Sequence, residues 1–184
     1  GNKIIVGGVA HFDHYFKNST FISKSSFFKM MDLDPSKKTI FYASRSPSMY
    51  PWNPEIVEVL AKAINSNKLS IPAQLIVRVH PNHFVKKHFS DSLNYSNQDR
   101  NMDDYINLEK KYKNLKFNYP NVIHSSDTNN NLSGFDINFS EVQILSSLLK
   151  HSDLVINLFS TINIEASIFD LPIINIGFNG KSNY

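Results

Sequence analysis

The sequence predicts an α/β fold in which helices cover both faces of a parallel sheet. Short, almost wholly apolar segments alternate along the chain with amphipathic segments of helical period. Strands that are apolar throughout are typical of parallel sheets buried on both faces. The 184 residues suffice for one domain, or for one domain with a piece of another, and a hydrophobic share of 41% supports a packed core.

Apolar runs bounded by polar residues predict the strands. A short strand is predicted at Lys3–Val6, and a polar and aromatic connector follows it as far as Ser36. The repeating pattern begins at Lys38. Its predicted strands are Thr39–Ala43, Leu75–Val79, Asn121–His124 and the two strands of the segment Ser152–Phe178.

Amphipathic patterns predict helices between these strands. Pro54–Asn65 begins with a proline, which suits the first helical position, and carries one apolar stripe. Asp103–Lys113 has helical composition, whereas Asn94–Asn101 is predicted to be a loop. Ser140–Lys150 is amphipathic and follows a polar loop at Ser125–Asn138.

The composition excludes several classes of function. There is no cysteine, and hence no disulfide, thiolate metal site or cysteine nucleophile. Lys and Arg number 19 against 16 Asp and Glu, and the basic residues are scattered, which disfavours nucleic-acid binding and suits a small anionic ligand. No apolar run approaches a membrane span and no signal peptide is visible, so we expect a cytoplasmic protein.

Several common motifs are also missing. The absence of a GxGxxG loop, a GKS/T loop and a GxSxG elbow disfavours dinucleotide oxidoreductases, P-loop enzymes and α/β-hydrolases. Two candidate groups, His11 with Asp13 and His14, and His80 with His83, follow no recognised pattern of metal ligands. The sequence therefore predicts no metal site.

The segment Ser152–Phe178 carries the strongest functional signal. Its pattern predicts a strand, a turn with two hydroxyls, a short helix, a proline stop and a second strand. Ser160 and Thr161 lie where the helix begins, and a helix start suits a phosphate. Glu165 shares a helix face with Thr161, and its carboxylate can accept two hydrogen bonds from a ribose diol. The alternative is a capping hydroxyl with a surface glutamate, although a capping box has its glutamate one residue earlier.

Polar residues also follow the strand Thr39–Ala43. Open parallel sheets bind ligands beyond the carboxyl ends of their strands, where the strand order reverses. Ser44 and Arg45 lie at such an end, and an arginine carries a fixed charge and a fork of donors that matches phosphate oxygens. The alternative is an arginine in a solvated loop.

The next strand ends in the sequence RVHPN. Arg78 and His80 point to one face there, and Pro81 stops the strand. The His80 imidazole could bind a phosphate or act as an acid or base near neutral pH. The alternatives are a structural histidine that bonds the backbone at a turn, and an Arg78 that pairs within the fold.

Three stretches of the chain resemble the C-terminal, donor-binding half of glycosyltransferases of the GT-B fold. The nearest group is that of bacterial surface-polysaccharide enzymes and CDP-glycerol glycerophosphotransferases. VGGVAHFDHY resembles the segment that closes the N-terminal domain, TIFYASRS with LIVRVHPN resembles the first two strands of the donor domain, and SDLVINLFSTINIEASIFDLPIINIGF resembles the terminal region. The resemblance implies a Rossmann-like domain at residues 37–184, preceded at residues 1–36 by the end of an N-terminal domain and a linker.

Two departures from the group's pattern affect this prediction. The chain has SRS where the glycerophosphotransferases have a longer T-W-R segment, which favours a nucleotide-sugar donor over CDP-glycerol. Asp170 stands where glycine is frequent before the proline, and aspartate tolerates a left-handed turn.

The resemblance implies the donor-binding domain of a metal-independent glycosyltransferase in surface polysaccharide biosynthesis. Its donor substrate would be a nucleoside-diphosphate sugar, and it would need no cofactor. The diphosphate would lie at the two hydroxyls before the helix and the ribose at the glutamate, while the arginine and the histidine would neutralise leaving-group charge. The implied donor-binding residues are Ser44, His124, Ser125, Ser160, Thr161 and Glu165, and the implied catalytic residues are Arg45 and His80.

The sequence is also compatible with two other functions. One is a nucleotide-sugar epimerase of the same fold, of the UDP-N-acetylglucosamine 2-epimerase type, and the other is a non-catalytic module that binds a nucleotide or a sugar. In a GT-B enzyme the acceptor and usually the catalytic base come from the N-terminal domain. We therefore expect this chain alone to have little transferase activity, to partner such a domain, and to approach a membrane only through it.

Overall fold

A five-stranded parallel sheet lies at the centre of the part of the chain that the structure describes. The computed structural model describes residues 7–47, 49–66, 68–83, 96–121, 123–124, 135–136 and 139–177, with the backbone alone for 96–101, 123–124 and 135–136. The strands of the sheet are β1 (Lys38–Ala43), β2 (Ala73–Arg78), β3 (Leu115–Asn118), β6 (Leu154–Asn157) and β7 (Ile173–Asn175), in the order β3-β2-β1-β6-β7. Two shorter strands, β4 (Ile123–His124) and β5 (Phe135–Asp136), form a separate antiparallel pair.

The central strand β1 is apolar because both of its faces are covered. It pairs with β2 over its whole length and with β6 from Ile40 onward, in both cases in parallel. Successive side chains point to opposite faces of a strand. Phe41 and Tyr42 therefore enter two different core clusters, and both side chains are fully buried.

Helices cover both faces of the sheet, as the sequence predicts. The described α-helices are α1 (Lys24–Met30), α2 (Asn53–Asn65), α3 (Ser96–Lys111), α4 (Phe139–His151) and α5 (Ile162–Ile168). Side chains of α2 and α3 join the core cluster of Tyr42, and side chains of α1, α4 and α5 join that of Phe41. Within the described ranges, no helix combines the length and apolar character that crossing a membrane requires.

The N-terminal segment packs on the same face of the sheet as α4 and α5. Short 3-10 helices at Ala10–Phe16 and Asn18–Thr20 precede α1. Tyr15, Phe27 and Phe28 are buried in the core cluster of this face, so the predicted connector is in fact partly helical and covers the sheet. The assignment of residues 1–36 to the end of a preceding domain stays a prediction, and the strand predicted at residues 3–6 lies outside the described residues.

The middle of the chain differs most from the sequence prediction. The strand β3 was not predicted, because only Leu115 and Phe117 of its LKFN sequence are apolar and buried on one face. Such alternation suits its place at the edge of the sheet. The helix α3 begins at Ser96, so the loop predicted at 94–101 is wrong from that residue onward, and β4 covers only the last two residues of the strand predicted at 121–124.

Candidate functional site

The carboxyl ends of β1 and β6 lie where the strand order of the sheet reverses. β2 and β3 follow on one side of β1, and β6 and β7 on the other. A reversal of this kind opens a crevice beyond the strand ends, where open parallel sheets bind ligands. Two connections border the crevice: the β1 turn, described at residues 44–47 and 49–52, and the β6 turn, residues 158–161.

One buried amide makes hydrogen bonds near both ends of the β1 turn. Asn53 lies at the start of α2 and is fully buried. Its Oδ1 accepts hydrogen bonds from the Tyr42 hydroxyl and from the N–H of Arg45, each at 3.0 Å. Its Nδ2 donates to the carbonyls of Arg45 at 3.0 Å and of Tyr50 at 2.5 Å. Asn53 therefore determines the path of the backbone that carries Arg45.

Two buried serines tie the end of β2 to the β1 turn. The N–H of His80 donates to Ser44 Oγ at 2.8 Å, and Asn82 Nδ2 donates to Ser46 Oγ at 3.0 Å. The Ser44 hydroxyl is thus already engaged by the backbone of the neighbouring strand end. This contact gives Ser44 a structural role, and its predicted part in donor binding stays a prediction.

The His80 ring lies half-buried just beyond β2. Its Nδ1 accepts a hydrogen bond from the N–H of Asn82 at 3.1 Å, which is the turn contact of a structural histidine. Burial lowers the pKa of His80 below its ordinary value, so the imidazole is neutral at pH 7. In a neutral ring whose Nδ1 accepts, the proton lies on Nε2. The Nε2–H can then donate to a phosphate oxygen.

The Arg45 side chain joins the two turns. Its Nη1 donates to the carbonyl oxygen of Leu158 at 3.2 Å. A guanidinium has five N–H donors, and this contact between described residues uses one of them. A half-buried fixed positive charge at the point where the strand order reverses suits an anionic ligand.

Three asparagines form a hydrogen-bonded row behind the β6 turn. Asn157, the last residue of β6, is fully buried, and its Oδ1 accepts the N–H of Ser160 at 2.9 Å. Its Nδ2 donates to Asn163 Oδ1 at 2.6 Å, and Asn163 Nδ2 donates to Asn175 Oδ1 at 3.0 Å. The row connects β6, α5 and β7 at the edge where the ligand is predicted to bind.

The two predicted diphosphate-binding hydroxyls lie at the start of α5. Thr161 is exposed and immediately precedes the helix, and its side chain makes no capping hydrogen bond. Ser160 is half-buried, and its Oγ accepts the N–H of Ile162 at 3.4 Å. Thr161 therefore does not act as the capping hydroxyl of the alternative interpretation, and Ser160 makes only a long contact of this kind.

The predicted ribose ligand Glu165 has a partner from the N-terminal segment. The Tyr15 hydroxyl donates to Glu165 Oε2, although 150 residues separate the two. Burial, and then the hydrogen bond and the charge of Glu165, raise the pKa of Tyr15 well above its ordinary value, so the hydroxyl stays a donor. One carboxylate oxygen is therefore engaged within the chain, and a ribose would have to use the other oxygen or displace Tyr15.

Arg78 pairs within the fold, as one of the two interpretations of the sequence expects. Its Nη2 lies 2.8 Å from Glu141 Oε2 in α4, and both side chains are largely buried. Its Nη1 donates to the side chain of Asn118 in β3, and Glu141 Oε1 accepts the N–H of Asn121 at 3.0 Å. Arg78 thus joins two strand ends to α4.

Two of the implied donor-binding residues lie where the structure describes no side chain. His124 lies in β4, for which the backbone alone is described, and Ser125 lies outside the described residues. The ring centroids of His11 and His14 are 5.6 Å apart. Across the described ranges, no three side chains of His, Asp or Glu come together as a metal site would require.

A separate cavity of about 310 Å³ lies at the amino ends of the strands, opposite the crevice. Its lining includes Asp32, Lys37, Gln74 and Lys116, beside the amino ends of β2 and β3. Lys37 pairs with Asp34 at 3.2 Å and Lys116 pairs with Asp32, so these charges are compensated within the protein. Open parallel sheets bind ligands beyond the carboxyl ends of their strands. The crevice therefore stays the candidate site.

Sequence reasoning missed three residues that shape the crevice. Asn157 and Asn53 carry a usable signal, because each is a polar residue at the end of an apolar strand or directly before a helix-starting proline. Tyr15 carries no such signal, because its contact with Glu165 depends on how distant segments pack.

No protein-family model and no curated protein sequence matches this chain. Among solved structures, the UDP-GlcNAc 2-epimerase from Methanocaldococcus jannaschii is similar, with a TM-score of 0.50 and 14% sequence identity. The match covers 88% of this chain and 34% of the epimerase chain, so this chain spans about a third of that enzyme's length. At this identity the likeness shows the fold alone. Together with the parallel sheet and its helices, it confirms the predicted Rossmann-like fold of the GT-B type.

Proposed function

We propose that this chain is the nucleotide-sugar-binding domain of a metal-independent glycosyltransferase of surface polysaccharide biosynthesis. The observation that carries the proposal is the meeting of three strand ends at one edge of the sheet. Arg45 follows β1, His80 follows β2 and Ser160 follows β6, where the strand order reverses. A permanent cation, a neutral imidazole donor and a hydroxyl suit the diphosphate of a nucleotide sugar.

The proposed chemistry is electrostatic stabilisation of the leaving group. When the bond between the anomeric carbon of the sugar and the diphosphate breaks, the electron pair and the negative charge go to the diphosphate oxygen. Arg45 would neutralise this charge, and the Nε2–H of His80 would donate to a phosphate oxygen. Positioned donors of this kind need no reorganisation during the reaction. An acceptor hydroxyl, bound by another domain, would give its proton to a base of that domain and form the new bond to the anomeric carbon.

A nucleotide-sugar 2-epimerase is the second candidate function. The observation that favours it is the similar fold of the archaeal UDP-GlcNAc 2-epimerase. Both functions require a site that binds the diphosphate, and they differ in whether an acceptor is consumed. Conversion of UDP-GlcNAc without an acceptor would favour the epimerase, and nucleotide binding without turnover in the full-length protein would favour a non-catalytic module.

Calorimetric titration with UDP, GDP, CDP and CMP tests the proposal. We expect one of these nucleotides to bind and Glu165→Ala to weaken its binding about tenfold or more, because two hydrogen bonds to a charged carboxylate are lost. Inorganic pyrophosphate has no ribose, so the same substitution should leave its binding unchanged.

Tyr15→Phe is the matched control for this substitution. It removes the hydrogen bond that Glu165 makes within the chain but keeps the carboxylate. We expect it to change nucleotide affinity by about threefold or less, because the ribose contact is retained. Absence of nucleotide binding at millimolar concentration would contradict the proposed function. Unchanged affinity in Glu165→Ala would contradict the ribose assignment alone.

A further inference from the structure

Phe159 in the β6 turn combines a left-handed backbone with an exposed aromatic ring. Its φ angle is 49°, a region that bulky side chains rarely occupy and that glycine occupies without strain. Its side chain is 67% exposed and belongs to neither core cluster of the described residues. Packing of the fold therefore gives no reason for a phenylalanine at a position that favours glycine.

Side chains on both sides hold this conformation in place. Arg45 donates to the carbonyl of Leu158, which belongs to the peptide group before Phe159. The Asn157 side chain accepts the N–H of Ser160, which belongs to the peptide group after it. Because both flanking peptides are bonded, the strained conformation is maintained by its surroundings, as is common at functional sites.

The ring of Phe159 is exposed in the turn that borders the crevice. Gly177, two residues beyond β7, lies near the ring: a Cβ added there would lie 4.0 Å from Phe159 Cε2. The Arg45 guanidinium lies against the peptide that precedes the ring. An exposed aromatic ring, with a fixed cation bonded to the peptide that precedes it, suits a ligand that has both a ring and a phosphate.

We propose that Phe159 is a stacking platform for a ring of the nucleotide sugar, either its base or its sugar. This inference rests on the proposed function and adds to it a residue that contacts the donor. Aromatic side chains stack on nucleobases with little dependence on sequence, and they pack in the same way against the apolar face of a sugar. The ring would fix the orientation of the donor while Arg45 holds its phosphates.

The test separates binding from stability with two glycine substitutions. Phe159→Gly removes the ring and relieves the left-handed strain. Asp170→Gly relieves the same strain at φ 52°, after the end of α5, and is the matched control. Both variants should keep or raise the temperature of thermal unfolding. Calorimetry should show an affinity about tenfold lower for Phe159→Gly and unchanged for Asp170→Gly.

The ligands for this test are the tightest-binding nucleoside diphosphate, its N-acetylglucosamine conjugate and inorganic pyrophosphate. Loss of affinity for both nucleotides identifies the base as the stacked ring, and loss for the conjugate alone identifies the sugar. Pyrophosphate, which has no ring, should bind equally to wild type and variant. A second variant, Phe159→Leu, keeps an apolar side chain and should still lose affinity.

Two results would overturn the inference, and they are distinguishable. If the wild-type protein binds none of the nucleotides, the proposed function fails and the inference fails with it. If the wild-type protein binds but both Phe159 variants bind within twofold of it, the stacking role alone is wrong.

Discussion

The β1 turn and the β6 turn leave neighbouring strands at the same edge of the sheet, yet they are built in opposite ways. In the β1 turn, Ser44 and Ser46 are only 6% and 4% exposed, and their hydroxyls accept hydrogen bonds from the end of β2. In the β6 turn, Phe159 has a positive φ and a largely exposed ring, and the Thr161 hydroxyl makes no cap. The serine hydroxyls of one turn are engaged by the neighbouring strand end, whereas the other turn carries an exposed ring and a hydroxyl that makes no cap.

This difference indicates that the β1 turn mainly stabilises the crevice and that the β6 turn mainly serves ligand binding. A turn whose polar groups are hydrogen-bonded keeps its conformation without a ligand. It can therefore support a neighbouring turn whose backbone is strained. Arg45 provides that connection, because its backbone is held by Asn53 and its side chain bonds the β6 turn. Perturbing the β1 turn should therefore cost stability, whereas perturbing the β6 turn should mainly change ligand binding.

The largest expected effect is that of Asn53→Ala. The substitution removes a fully buried amide and the four hydrogen bonds that it makes to Tyr42, Arg45 and Tyr50. We expect the free energy of unfolding to fall by about 3–5 kcal/mol, measured by urea denaturation. The control is Asn65→Ala at the other end of α2, where a single hydrogen bond to Ala61 is lost and about 1 kcal/mol is expected. Equal losses in the two variants would contradict a rigid β1 turn.

Acid should lower the free energy of unfolding, because the His83 side chain is buried just beyond β2. Among the described residues neither ring nitrogen has a hydrogen-bond partner, and burial, with the nearby His80, lowers the pKa of His83 from 6.5 to about 4. Between these two values the unfolded chain binds a proton that the folded protein does not. The stabilisation is complete above pH 6.5 and is lost as the pH falls towards 4, by about 3 kcal/mol in total.

Denaturation curves recorded across this pH window provide the measurement. His83→Leu should remove this share of the pH dependence, while the share that comes from carboxylates remains. A variant whose stability falls with acid as steeply as that of the wild type would show that His83 does not titrate in this way.

The smallest expected effect is that of Asn163→Ala in the asparagine row. It should lower the free energy of unfolding by about 1 kcal/mol, because two partly exposed hydrogen bonds are lost. Since Asn163 orients the Asn157 amide, the N–H of Ser160 should exchange faster with solvent. Ser167→Ala on the same helix is the control, and it should leave this exchange rate unchanged. Unchanged exchange in Asn163→Ala would show that the row does not support the β6 turn.

The fold was largely predictable because its elements carry local signals. β1, β2 and β6 are apolar runs, and α2 has a proline at its start and a clear apolar stripe. The edge strand β3 was missed because its pattern alternates over only four residues. The candidate site followed from the fold, since parallel strands place their carboxyl ends together. The roles of its residues in binding and catalysis stay predictions.

The sequence by itself therefore determined the layers of the fold and the edge at which polar residues gather. Periodicity and turn residues are local properties, and a parallel sheet then brings the strand ends together. Only the tertiary structure decided the partners: Tyr15 for Glu165, Glu141 for Arg78 and Leu158 for Arg45. These contacts join residues far apart in the chain, and their geometry depends on how the helices pack on the sheet. The strained backbone of Phe159 also depends on the tertiary structure, because neighbouring side chains hold it in place.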